Sequence, residues 1–278
     1  MKLGLSMWSY VHPYKQGDLT IPAFVREAAR VGAEGVELLD FFWQDQDAEL
    51  PGVRDALRET GLPVGVYSVA NDFVVPGEVA HKAQVETITK GVDTAQALGA
   101  RVVRVFGGNA RAGITDAEAF RCIVQGLSEG AEYARARGIT LALENHGSLA
   151  GLSGQVALIL DAVGSPALGA NPDTGNFLLM HDTPENAVAR LAPRAAMAHL
   201  KDFVAVPPNY EGLTYASPDG AKYAGTALGE GEVNIGACLE ALHAAGFIGW
   251  VNLEYEGEED PREAVARSMA HARRLLPG

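Results

Sequence analysis

Leu141-Ala142-Leu143-Glu144-Asn145-His146 is a short apolar run that ends on an acid, and three later stretches repeat the arrangement with other polar residues. They are Gly169-Ala170-Asn171-Pro172-Asp173-Thr174-Gly175, Met197-Ala198-His199-Leu200-Lys201-Asp202 and Trp250-Val251-Asn252-Leu253-Glu254. A brief apolar run between turn residues reads as a parallel strand buried on both faces. The spacing between runs leaves room for a helix and its loops, as a parallel crossover requires. If the four strands are neighbours in one barrel, Glu144, Asp173, His199 and Glu254 converge at a single mouth.

The rest of the chain keeps the same rhythm. Strands are expected at 3–7, 36–39, 64–69, 101–106, 140–143, 167–170, 195–200 and 248–253. Between them run helix patterns, among them 21–30 behind the cap Thr20, 78–98 stopping before Gly99, and 115–137 closed by Gly138. Further helices are expected at 154–163, 183–191, 236–245 and 261–276, and 9–19 reads as a loop. Eight strands, each followed by a helix, make a single (β/α)8 TIM barrel over 1–278 the economical α/β fold. An open doubly wound sheet would call for a glycine fingerprint after the first strand, and none is there. The stretch 204–235, rich in proline, glycine and tyrosine, reads as a long irregular loop, a type more often functional than idle.

Composition narrows the function classes. The 278 residues are 47% hydrophobic, enough for a sizeable core, and the formal charge of -13 argues against nucleic acid or an anionic membrane as partner. Cys122 and Cys238 are too few and too far apart for a disulfide framework or a cysteine-rich zinc site. No basic-then-apolar leader and no membrane-length apolar run is present, so a soluble, cytoplasmic protein is expected.

Three carboxylates and one imidazole with positions left open suit manganese or magnesium, and accept cobalt or zinc. One divalent cation, manganese first, is therefore the expected cofactor. It would chelate a hydroxy-carbonyl substrate and acidify the intervening C–H. One glutamate would then take that proton to leave an enediolate, and the other would return one. Glu144 and Glu254 are the candidates for this acid/base work, in an order left open. Each of the four has a structural alternative: a helix cap or arginine partner for the glutamates, an Asp turn for Asp173, a core histidine for His199. Trp8 and Phe73 are candidates for an apolar wall against substrate C–H groups, and His146 and Lys201 for substrate hydrogen bonds. Lys201 and Asp202 would otherwise neutralise one another. Arg104, inside the fourth strand, needs a partner and reaches either substrate or Glu144.

The chain resembles the sugar isomerase/epimerase group of xylose-isomerase-like barrels. The likeness runs from Leu3-Gly4-Leu5-Ser6 through Gly35-Val36-Glu37-Leu38 and Leu143-Glu144-Asn145-His146-Gly147 to the Glu254 strand. Ala198-His199-Leu200-Lys201-Asp202, followed later by Gly229-Glu230-Gly231-Glu232, belongs to it as well. The resemblance implies one divalent metal on Glu144, Asp173, His199 and Glu254, two glutamates exchanging protons from opposite sides, a small polyhydroxy carbonyl substrate and a homo-oligomer. Many ketose epimerases carry a histidine three positions after the aspartate, where this chain has Asn176. The expected activity is thus a metal-dependent isomerase or epimerase of a sugar, ketose or inosose. The alternatives are a dehydratase or other lyase of a related polyol, and a noncatalytic sugar-binding barrel.

Overall fold

Runs such as Val36-Glu37-Leu38-Leu39 and Leu141-Ala142-Leu143 pair edge to edge because both of their faces are covered, one by the barrel interior and one by helices. The structure, a computed structural model, describes residues 1–277. In chain order the strands are β1 (Lys2–Ser6), β2 (Gly35–Leu39), β3 (Val64–Ser68), β4 (Val102–Val105), β5 (Thr140–Glu144), β6 (Leu168–Asn171), β7 (Met197–Leu200), β8 (Asp202–Val206), β9 (Tyr215–Ala216), β10 (Lys222–Thr226) and β11 (Trp250–Leu253). Eight of them form one parallel sheet in the order β6-β5-β4-β3-β2-β1-β11-β7. Its ends meet through the parallel bridges Ala170↔Ala195 and Asp173↔His199. The closing seam of this TIM barrel thus joins two of the polar residues singled out above.

Helices Ile21–Arg30, Gln46–Thr60, Glu78–Leu98, Asp116–Arg135, Ser153–Val163, Pro184–Leu191, Ile235–Ala244 and Pro261–Leu275 follow the barrel strands in turn. Ile21–Arg30 shows why they lie down on the sheet: Ile21, Phe24, Val25 and Ala28 fall on one face and are buried. Its N-terminus is the expected one, with Thr20 Oγ1 accepting from the Ala23 amide at 3.4 Å. Among the described residues no helix is long and apolar enough to cross a membrane.

The interior is layered. Val66, Ala142 and Met197 pack with Trp250 at the lower end of the barrel. β3 carries one extra residue there, Gly65, where its register against β2 shifts, and a Cβ on Gly65 or Gly35 would collide with the Trp250 ring. Above this plug the inward side chains turn polar.

Two segments depart from the sequence reading. Residues 7–15, expected mostly as loop, form a 3-10 turn (Met7–Tyr10) and a short helix (Val11–Lys15). The stretch 204–235 is not irregular throughout: β8, β10 and β9 make an antiparallel sheet in that order, with Asp202 opposite Thr226 and Lys222 opposite both Val206 and Ala216. Its strands are too short, and too mixed with proline and glycine, to announce themselves. Asp202 ties this extension to the barrel. Its carboxylate accepts the amides of Phe203 (3.0 Å), Gly229 (2.9 Å), Gly231 (3.1 Å) and Val233 (3.0 Å). A Cβ on Gly231 would strike that carboxylate, so the Lys201-Asp202 and Gly229-Glu230-Gly231 motifs are two parts of one contact.

Candidate functional site

Glu144, Asp173, His199 and Glu254 come together at the upper end of the barrel, and each offers a ligand atom within 4.8 Å of the other three. All four are buried. His199 Nδ1 is the inward atom, lying 3.4 Å from Glu144 Oε2, 3.6 Å from Asp173 Oδ2 and 3.7 Å from Glu254 Oε2. Asp173 also caps the short helix Thr174–Leu179 by accepting the Asn176 amide on Oδ1 at 2.9 Å, so the turn role and the cluster role fall to different oxygens. Its Oδ2 makes no aligned hydrogen bond, although Lys201 Nζ is 3.0 Å away. Three crowded carboxylates, one imidazole nitrogen and an orphaned carboxylate oxygen fit a divalent cation of the hard or borderline kind, and these four residues could hold one.

The cluster is braced from several sides. Arg104 Nε stands 3.2 Å from Glu144 Oε2, and its guanidinium also donates to Val69 O and lies over the Phe106 ring. Asn171 Nδ2 donates to Glu144 Oε2 at 3.0 Å and Asn176 Nδ2 to Glu144 Oε1 at 3.2 Å. Glu37 Oε2 meets His199 Nε2 at 2.8 Å. Lys201 Nζ reaches Glu254 Oε2 at 2.5 Å and Glu256 Oε2 at 3.3 Å, while Glu256 Oε1 accepts the Trp8 indole at 2.7 Å.

These partners separate the two glutamates electrostatically. Burial pushes Glu144 up, but Arg104 and His199 outweigh it and hold the carboxyl below its ordinary pKa. Burial also pushes Glu254 up; here Lys201 and His199 pull back against Glu256 and Glu144, and the balance rests at about 7. Glu37 resists its own burial through His199 and is held at about 2. Burial works to neutralise His199 and Lys201, yet the surrounding carboxylates keep both well above their ordinary values.

A cavity of about 320 Å3 opens above the cluster. Of the expected substrate contacts, Trp8, His146 and Lys201 line it, with His146 stacked on Phe106 at 4.7 Å. Phe73 does not. It is fully buried against helix Asp116–Arg135, where Gly126 leaves a slot that its ring fills, and it stacks on His81. The aromatic wall is made instead by Trp8, Phe41, Phe106 and Tyr215, the last from β9 of the extension. Lys201 does not neutralise Asp202, whose carboxylate faces the backbone amides described above. Arg104 pairs with Glu144, one of its two expected partners, and it also lines the cavity.

Sequence reasoning passed over Glu37, Asn171, Asn176 and Glu256 as working parts of the site. For the first two a signal existed: a polar side chain inside an otherwise apolar strand buried on both faces is unusual and needs a partner. Glu256 had none, since it opens an acidic run that reads as a solvated loop.

The profile of the xylose isomerase-like TIM barrel family matches residues 25–275. A 3-oxo-isoapionate decarboxylase of Pectobacterium atrosepticum is 26% identical over 250 residues, covering 87% of this chain and 80% of the relative. Two solved structures share the fold at low identity. D-psicose 3-epimerase from Clostridium cellulolyticum with D-tagatose superposes at a TM-score of 0.78 and 14% identity, over 100% of both chains. A xylose isomerase-like TIM barrel protein from Mycobacterium smegmatis in complex with magnesium gives 0.76 and 18%, over 99% of this chain and 96% of the other. With the profile spanning nearly all of its length, the chain belongs to the xylose isomerase-like TIM barrel family.

Proposed function

We propose that this protein is a divalent-cation-dependent isomerase or epimerase of a small polyhydroxy carbonyl compound. The observation that carries the reading is the pair Glu144 and Glu254, which share one buried cluster below the cavity while their surroundings push them in opposite directions. Such a split marks one carboxylate as proton acceptor and the other as proton carrier. A cation on Glu144, Asp173, His199 and Glu254 would polarise a substrate carbonyl and stabilise negative charge developing on its oxygen. Glu144, kept ionised by Arg104, takes the proton from the carbon beside the carbonyl. Glu254 carries a proton and delivers it, to the opposite face of the same carbon in epimerisation or to the neighbouring carbon in isomerisation. The Lys201 ammonium, lining the cavity, is placed to hold a substrate oxygen. Trp8, Phe41, Phe106 and Tyr215 offer apolar faces to the C–H side of a sugar.

A second reading is decarboxylation of a 3-oxo sugar acid. The decarboxylase relative favours it, and so does the presence of two buried cations, Arg104 and Lys201, beside one cavity. Loss of carbon dioxide leaves the same kind of enolate, which Glu254 can protonate, and no carbon-bound proton has to be removed first. The readings part in deuterated water. The manganese-loaded protein is incubated with ketoses, aldoses, inososes and 3-oxo sugar acids, with deuterium incorporation followed by mass spectrometry and products by NMR. Deuterated isomers of unchanged skeleton support the first reading. Carbon dioxide release supports the second, and loss of water would replace both with a dehydratase.

A further inference from the structure

The His199 imidazole is constrained at both nitrogens. On its far side, Nε2 lies 2.8 Å from Glu37 Oε2, which also accepts the Asn252 amide at 2.8 Å. The second oxygen, Oε1, accepts the Ser68 hydroxyl at 2.5 Å. A carboxylate is acceptor-only, and with Ser68 and Asn252 already donating to it, the bond with His199 is completed by a proton on Nε2. On the near side, Asn171 Nδ2 lies 3.2 Å from Nδ1. The same amide nitrogen donates to Glu144 Oε2, which fixes which end of the amide faces inward. Nδ1 is also the nitrogen that faces the three cluster carboxylates, at 3.4 to 3.7 Å. The Glu37 contact therefore makes Nε2 the nitrogen that keeps its proton, and leaves Nδ1 as the one a cation would meet. Glu37 is fully buried and is absent from the cavity wall, so it acts on the site through the imidazole and not on a substrate.

We propose that Glu37 is a positioning residue for the cation centre: it holds His199 as the Nε2–H tautomer, with Nδ1 turned toward Glu144, Asp173 and Glu254. The role rests on the cation-dependent reading above. An imidazole free to take the other tautomer would present an N–H to the cluster and could not ligate from that atom. The carboxylate comes from β2 and the ring from β7, so the tautomer is set by a contact across the barrel interior. The acid embedded in Gly35-Val36-Glu37-Leu38-Leu39 gains a purpose by this account.

The test uses Zn2+, which is diamagnetic, with affinity measured by calorimetric titration and the His199 tautomer by long-range proton–nitrogen correlation of histidine-labelled protein. In the wild type, Nε2 should carry the proton and Nδ1 should show the metal-bound shift. Glu37→Gln should weaken Zn2+ binding by about 10- to 100-fold, the usual cost of losing a ligand's orienting partner. Ser68→Ala, which removes a donor to the other carboxylate oxygen, should change the affinity by less than about threefold on the same scale. A Glu37→Gln affinity equal to that of the wild type, a wild-type ring ligating through Nε2, or a Ser68→Ala loss as large as that of Glu37→Gln would each overturn the positioning role. If Glu37→Gln does not fold, Glu37→Asp, which keeps the charge and shortens the reach, is read by the same criteria. A wild-type protein that takes up no Zn2+ would defeat the cation reading itself, whereas equal binding by wild type and Glu37→Gln would defeat only the role of Glu37.

Discussion

The two halves of the barrel contribute different things to one site. Strands β5, β7 and the ends of β6 and β11 carry the cluster: Glu144, His199, Asp173 and Glu254. Strands β1 to β4 each add one bracing group to those that Asn171, Asn176 and Lys201 supply from the other half. Ser6 donates to Glu254 at 3.4 Å, Glu37 meets His199 at 2.8 Å, Ser68 donates to Glu37 at 2.5 Å, and Arg104 stands 3.2 Å from Glu144. A closed barrel makes this division natural, because inward side chains of early and late strands meet across a shared interior. The functional half places its groups at strand ends, where they can face a substrate. The supporting half places its groups within or at the close of its strands, where they brace the interior, and of the four only Arg104 also lines the cavity. Perturbing the first half should therefore act through the second, with effects graded by charge and distance.

Removing a cluster glutamate is the most severe way to break the division. Glu144→Gln and Glu254→Gln should each reduce turnover by about 100- to 10,000-fold, the contribution of a placed acid or base. Deuterium exchange into substrate is the readout, with circular dichroism to verify the fold. Comparable losses from both variants fit proton transfer by two carboxylates, whereas activity surviving Glu144→Gln alone would move the assignment to decarboxylation.

Arg104→Met tests the supporting half at its most strongly charged contact. An adjacent cation lowers a carboxyl pKa by about one to three units, so its loss frees Glu144 to rise under the pressure of burial. The base would then ionise only at higher pH. The acidic limb of the pH–rate profile should move upward by about one to three units, so the loss is largest at the acid end and shrinks toward pH 8. A uniform loss at every pH would mean that Arg104 serves the substrate and not Glu144.

The halves also differ in how clearly they can be read from sequence. Glu144, Asp173, His199 and Glu254 stand out because each interrupts or ends an apolar run at the point where a barrel strand delivers its side chain to the mouth. Glu37 sits in a similar run, yet an acid inside a strand looks like a tolerated exception until its partner appears, and that partner is His199, 162 residues away. Phe73 illustrates the reverse error. An aromatic just beyond a strand can face the mouth or the helix layer, and what decides is the slot left by Gly126, a residue on a different helix. The extension 202–226 was hidden for a third reason: its pairing is antiparallel and local, while its strands run to five residues or fewer. Periodicity finds elements that bury a face, and it is silent about which buried polar groups meet.

Cation uptake should report the same electrostatic arrangement through pH. With His199 raised by its carboxylate neighbours, its ring holds a proton that a bound cation must displace. The sign follows: affinity rises as pH rises, by about tenfold per unit for each proton released. The rise should continue through neutrality, because His199 titrates above its ordinary value. Calorimetry in buffers of different ionisation enthalpy should show protons leaving as Mn2+ enters. A flat affinity between pH 6 and 8 would mean that His199 is not protonated before binding.

The weakest link between the halves is Ser6, whose hydroxyl donates to Glu254 over 3.4 Å and also accepts the Trp8 amide at the start of the following turn, again at 3.4 Å. Both contacts are long and neither joins two charges, so Ser6→Ala should cost about 1 kcal/mol or less of stability. Glu254 would lose one donor to its ionised form, a change that raises its pKa slightly and leaves Lys201 as its dominant partner. Turnover should therefore fall by less than about threefold, with thermal unfolding and the deuterium assay as the two measurements. A fall as large as that of Arg104→Met would contradict a ranking by charge and distance. It would mean instead that the first-half side chains act as one hydrogen-bonded unit, in which the loss of any member disturbs the whole cluster.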